Sequence, residues 1–197
     1  MNGLKTSIAF AIVALLSLTG CNGSRIQENT SDSTKLSQSQ EQLISEGWYI
    51  PKTVPEGELS GEYGVKSKFG QQDNYFDIEI GNGCDVAVKI IDASRDKCIR
   101  YVLVPENSSV SVQMIPQGRY YLKLAYGKDW MEYDNGDGTI TGKFTKNVSY
   151  DKSVDVFDFG KKNSSDNVSY VLHINVVNSK LENNFETQEI SEDDFFL

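Results

Sequence analysis

From Trp48 onward, short β-branched runs alternate with turn sequences, and that rhythm restricts the fold more than any other feature of the chain. The runs are Tyr75 to Ile80, Asp85 to Ile91, Tyr101 to Val104, Val110 to Met114, Tyr120 to Leu124, Ile140 to Phe144, Val154 to Phe159 and Val168 to Val177. Between them stand Gly81-Asn82-Gly83, Ser94-Arg95-Asp96, Pro105-Glu106-Asn107, Pro116-Gln117-Gly118, Asn135-Gly136-Asp137-Gly138 and Gly160 to Asn163. Apolar side chains two residues apart suit a pleated strand with one buried face. No window beyond residue 48 carries a long apolar period of 3.6 residues. The expected fold is therefore all-β, a single antiparallel sandwich of immunoglobulin-like or prealbumin-like type.

The segment before this domain has a different chemistry. Lys5 is followed by Ile8 to Leu16, which contains no polar residue. Counting Ser17 and Leu18, about eleven residues rise only ~16 Å as a helix, half of a ~30 Å hydrocarbon core. That length predicts the apolar region of a signal peptide rather than a membrane span. The region ends in Leu18-Thr19-Gly20-Cys21, which resembles a bacterial lipobox. The resemblance implies cleavage after residue 20, lipidation of Cys21 and anchorage in the cell envelope. More than one acyl chain holds a protein stably on a membrane. Asn22 follows the cysteine, and by resemblance to enteric lipoproteins the lack of Asp there favours the outer membrane. Residues 21–46 are rich in Asn, Ser, Gln and Thr and predict a disordered, flexible tether, with a short helix around Leu36, Leu43 and Ile44 near its end. The domain is expected over 47–180. Residues 181–197 hold six acids and no base and are expected as an acidic tail or a final docking strip.

Ile115-Pro116-Gln117-Gly118-Arg119-Tyr120-Tyr121-Leu122-Lys123-Leu124, followed by Gly127, resembles the return strand of prealbumin-like and carboxypeptidase-regulatory-like modules. A wider set, from Val88 to Asp92 through Ile99 to Val104, Gly127 to Trp130, Val156 to Phe159 and Ile190 to Phe195, is similar to a bacterial β-module found at the ends of anchored proteins. These are core and turn residues. They imply a fold and no activity.

Charge and residue inventory exclude several functions. The formal net charge is −9, the wrong sign for neutralising a phosphate backbone, so no nucleic-acid partner is expected. The single histidine, His173, rules out a multi-histidine metal centre, and period 2 sets it on the polar side of its strand with Val171 and Asn175. There is no Gly-x-Ser-x-Gly, phosphate loop, paired Cys-x-x-Cys or His-Glu-x-x-His, so the chain is not expected to be an enzyme or to hold a cofactor. Cys84 and Cys98 suit a disulfide by compartment. A hairpin between their strands would nevertheless keep them roughly 23 Å apart at ~3.3 Å per residue, too far for one.

Two places could bind something. Tyr126, Trp130, Glu132, Tyr133 and Asp134 place aromatic rings beside carboxylates, a combination that serves protein contacts and sugar stacking. The alternative is that Trp130 and Tyr126 cap the core. Asn135-Gly136-Asp137-Gly138 is similar to the middle of a calcium loop, but with Gly138 at the sixth position Tyr133 and Phe144 occupy the first and twelfth, where oxygens are required. A hairpin turn is expected there, with Glu132, Asp134 and Asp137 as a weak calcium candidate. The sequence thus predicts an envelope lipoprotein with a non-catalytic interaction or scaffold domain, whose partner is an envelope protein. A carbohydrate-binding surface protein is the alternative.

Overall fold

In the computed structural model, residues 36–197 are described, except 60, 162–164, 166, 178 and 179. The signal segment, Cys21 and the first part of the tether lie outside the described residues. No helix among the described residues is long and apolar enough to cross a membrane.

The fold is an all-β sandwich. The larger sheet contains β1 (Gly57–Glu58), β4 (Lys97–Val104), β3 (Asp85–Asp92), β6 (Arg119–Asp134), β7 (Ile140–Ser153) and β11 (Thr187–Glu189) in that order. A two-residue strand, β8 (Phe157–Asp158), joins the start of β6. The smaller sheet runs β10 (Lys180–Asn183), β9 (Tyr170–Val177), β2 (Tyr75–Ile80) and β5 (Ser109–Gln113). Every pairing is antiparallel except β2 with β9, which is parallel and aligns Ile78 with Leu172. The expected sandwich is present, but it is not wholly antiparallel. The chain leaves β2, an inner strand of the small sheet, builds the edge strand β5 and most of the large sheet, and returns in β9 with the same direction.

The main core lies between the sheets. Phe76, Ile78 and Ile80 of β2 and Leu172 and Ile174 of β9 meet Val86, Val88 and Ile90 of β3 and Leu122 and Leu124 of β6. Phe76 gathers the rings of Phe157, Phe159 and Tyr170 within 4.7–5.7 Å, at separations where edge-to-face contacts are favourable. Arg100, fully buried in β4, ties the sheets together. Its Nε pairs with Glu58 at 2.7 Å, Nη1 donates to the Lys68 carbonyl, and Nη2 donates to the β5 carbonyl of Gln113 at 3.3 Å.

A second core covers the opposite face of the large sheet. Ala87, Tyr101, Leu103, Ala125, Trp130 and Phe144 point outward and are roofed by Leu59, Val65 and Phe195. Phe195 belongs to α2 (Glu192–Phe196), a helix started by a capping box in which Ser191 and Asp194 satisfy each other's backbone N–H. Lys89 and Lys123 reach up from β3 and β6 to donate to the carbonyls of Phe195 and Asp194, at 3.0 and 2.5 Å. Cations at a helix C-terminus satisfy its free carbonyls and oppose its dipole. Residues 181–197 are therefore docked, contributing a sheet edge and a roof. The short helix expected near the end of the tether is α1 (Gln38–Ser45), capped by Ser37 and Gln40.

Candidate functional site

The aromatic and acidic strip of β6 is divided by a β-bulge. Up to Tyr126 the even-numbered residues face the inter-sheet core, and Tyr126 is buried there. The pairing with β7 then slips between Tyr126 and Lys128, and Asp129 takes φ +58°. Two steps along β6 are there set against three along β7, and the alternation of β6 inverts beyond the bulge. Trp130 consequently points to the other face, into the second core, with its indole edge-on to Phe144 at 5.0 Å. Gly142 lies against the indole, where a methyl group would collide with the ring.

Glu132 follows Trp130 on the same face and is 5% exposed. Its Oε1 accepts from the Tyr63 hydroxyl at 2.6 Å and from the Trp130 indole N–H at 3.2 Å. Its backbone exchanges two hydrogen bonds with Tyr49, at 2.8 and 2.9 Å. Burial, and then the Glu132 carboxylate, push the Tyr63 phenol well above its ordinary range. The site proposed from sequence is thus corrected: Tyr126, Trp130 and Glu132 are interior groups, and a ligand cannot reach them as they stand. The rings fill two cores, and the carboxylate is satisfied by a phenol and an indole. A buried carboxylate without such donors would be costly.

Tyr133 and Asp134 do face solvent, and the fold gives Tyr133 new neighbours. Trp48 packs on it with ring centres 5.5 Å apart, and the Lys143 ammonium lies 4.8 Å from the Trp48 ring centre. Gly47, at φ +99°, lets the chain pass close beneath the Tyr133 ring. Tyr49 and Ile50 stand 40% and 49% exposed on the next residues, and Ile44 of α1 is 42% exposed. Exposed aromatic and aliphatic side chains therefore stand where the chain enters the domain: Ile44, Tyr49 and Ile50, with Tyr133 packed against Trp48 on the neighbouring strand. Sequence reasoning missed the first three. The signal was the run Trp48-Tyr49-Ile50, which marks the domain's start but gives no hint that it lies beside Tyr133.

The hairpin tip behaves as a turn. Asp134 accepts from the Gly136 N–H at 2.8 Å, and Asp137 accepts from the Thr139 N–H and hydroxyl at 2.9 and 2.6 Å. The Thr139 hydroxyl and then its N–H hold the Asp137 carboxyl below the usual carboxylate range. Gly136 and Gly138 supply the positive φ that the turn needs, +77° and +87°. The calcium candidate is not assembled: Glu132 is engaged inside, while Asp134 and Asp137 fold back onto their own turn. Among the described residues no three Asp, Glu, His or Cys side chains are grouped to hold a metal ion.

Cys84 and Cys98 are free thiols. Cys84 belongs to the inter-sheet core and Cys98 packs against the second core, so the large sheet separates them. Burial pushes both up to about 11, which leaves them protonated at neutral pH. His173 is exposed and lies 2.9 Å from Glu79 across the parallel pair, on the polar side that its period predicts.

Comparison of the chain with protein-family models, with curated proteins and with solved structures finds no match.

Proposed function

We propose that this chain is a bacterial envelope lipoprotein, held by lipid on Cys21, whose β-sandwich is a non-catalytic interaction module for another envelope protein. The lipobox-like Leu18-Thr19-Gly20-Cys21 after a short apolar segment supports the anchor. The outer membrane is the expected site, since Asn22 follows the cysteine. The observation that carries the interaction role is the exposure of Ile44, Tyr49, Ile50 and Tyr133 around the point where the chain enters the domain. Exposed apolar side chains with tyrosines among them are frequent in protein contact surfaces. Photo-crosslinking from positions 49 and 133 in the native cell tests the reading. A recurring protein adduct from both positions is expected. Adducts to polysaccharide would instead favour the carbohydrate alternative, which would rest on Tyr49, Tyr133 and Asp134. Cys21→Ser should move the protein from the membrane to the soluble fraction, and retention in the membrane would overturn the anchor.

A further inference from the structure

A cleft of about 260 Å³ opens beside the second core, between the 3-10 turn at Gly61–Tyr63, the end of the β6–β7 hairpin and α2. Lys89 and Tyr101 line it from the sheet, and Tyr63, Val65 and Phe196 supply apolar walls. The Lys89 ammonium lies 5.3, 4.6 and 5.2 Å from the ring centres of Tyr101, Phe195 and Phe196. One of its three N–H donors is spent on the Phe195 carbonyl. Among the described residues it has no carboxylate within ion-pair distance. The groups facing it do not supply the missing charge. From β4 come the Cys98 thiol, protonated at neutral pH, and the neutral Tyr101 phenol. From β6 comes Lys123, a second cation. On α2, Glu192 is paired with Lys143 and Asp194 with the Ser191 hydroxyl, while Asp193 is exposed; Leu197 just beyond the helix also lines the cleft, and its terminal carboxylate forms no ion pair with Lys89. The Tyr101 hydroxyl is itself buried without a hydrogen-bond partner.

We propose that this cleft binds a small organic carboxylate, with the acid group on the Lys89 ammonium and the apolar body against Tyr63, Val65 and Phe196. A half-buried ammonium among aromatic rings, lacking a counter-ion, is the chemistry that a monoanion completes. The size suits a benzoate or a short-chain acid. A dianion would need a second free cation, and Lys123 and Lys143 are both engaged on α2. General attraction of anions is not a competing cause, because the chain carries a formal net charge of −9. Burial brings Lys89 down to about 8, so affinity should be level below that pH and fall as the ammonium is lost above it.

The test is calorimetric titration of the full chain in detergent with sodium benzoate and sodium hexanoate. Benzamide serves as the uncharged match for benzoate. Saturable one-site binding of at least one acid is expected, with benzamide at least tenfold weaker. At pH 8 binding should take up a fraction of a proton, read from the dependence of the heat on buffer ionisation. A lysine acting only as a helix cap would not produce that signal. Lys89→Met should weaken the acid at least tenfold, and Phe196→Ala several-fold. No saturable binding of either acid would overturn the proposal, as would benzamide binding equally well. If Lys89→Met does not fold, the unaltered chain decides the matter: affinity that stays flat from pH 7 to 9.5 overturns the proposal, and a decline above pH 8 upholds it.

Discussion

The two sheets of this domain share one core but are finished differently. The small sheet keeps a bare outer face, with Tyr75, Glu79, Val171 and His173 exposed to solvent along β2 and β9. The large sheet is covered on both sides, and β3 and β4 are buried along almost their whole length. The contrast appears in composition. β2 reads Tyr-Phe-Asp-Ile-Glu-Ile, a strict alternation, whereas β3 reads Asp-Val-Ala-Val-Lys-Ile-Ile-Asp, with Ala87 and Lys89 facing the roof. A strand with one wet face alternates, and a strand with two dry faces does not. The outer face of the large sheet should therefore respond to mutation like an interior, and that of the small sheet like a surface.

The sharpest test removes the roof. Phe195→Ala should cost about 3–5 kcal/mol in urea unfolding, because a buried ring is lost from a site where Tyr101 and Tyr150 close around it. Val171→Ala on the bare face should stay within about 0.5 kcal/mol. Equal effects of the two would abolish the distinction between the faces. Next in size is Gly142→Ala, where the added methyl meets the Trp130 indole. A loss of about 1–3 kcal/mol is expected by the same method.

The third test is electrostatic and smaller. Lys89 sits at about 8 in the folded protein against an ordinary 10.5, because burial disfavours its charge, with Lys123 adding to the effect and Cys98 opposing it. Below pH 8 both states hold the proton, and the native state carries the cost of a buried charge. Above pH 8 the native state releases it while the unfolded chain keeps it, so this group makes stability rise with pH. Across pH 8–9 the thiols of the unfolded chain begin to ionise and pull the other way, so Lys89 is isolated by difference. Stability of the native sequence minus that of Lys89→Met should climb across that window, and a flat difference would mean that the roof leaves Lys89 hydrated. The smallest effect belongs to the bare face. His173→Ala removes a contact with Glu79 in which both side chains are 51% exposed, and should change stability by under about 1 kcal/mol.

The same contrast explains what could be read from the chain. Strand β2 stands where its alternation predicts, residue for residue, because its outer face is wet. In contrast β6 extends ten residues past Leu124 and β7 nine past Phe144. Their patterns break at Gly127, Lys128 and Asp129, where a bulge rather than a chain reversal intervenes. Helix α2 lay hidden in an acidic run, since its five residues show no period and only Ser191 with Asp194 signals a cap. For the candidate site, the cluster of rings and acids was visible. Its division between interior and surface was not, because a single extra residue decides which face Trp130 takes. Cys98 and Lys89 sharing a cleft could not be read either, since α2 and the turn at Gly61–Tyr63 complete it from both ends of the domain.

The roof also sets a timetable for folding. Lys89 and Phe195 meet across 106 positions of chain, and Tyr63 and Glu132 across 69. Such distant closures cost more chain entropy than the local hairpins β3–β4 and β6–β7, which are expected to form before them. Until α2 arrives, Tyr101, Leu103 and Phe144 lie open on a formed sheet, a sticky surface of the kind that invites aggregation. A chain secreted before it folds would cross this interval outside the cytosol, so the step most in need of a chaperone is the last one.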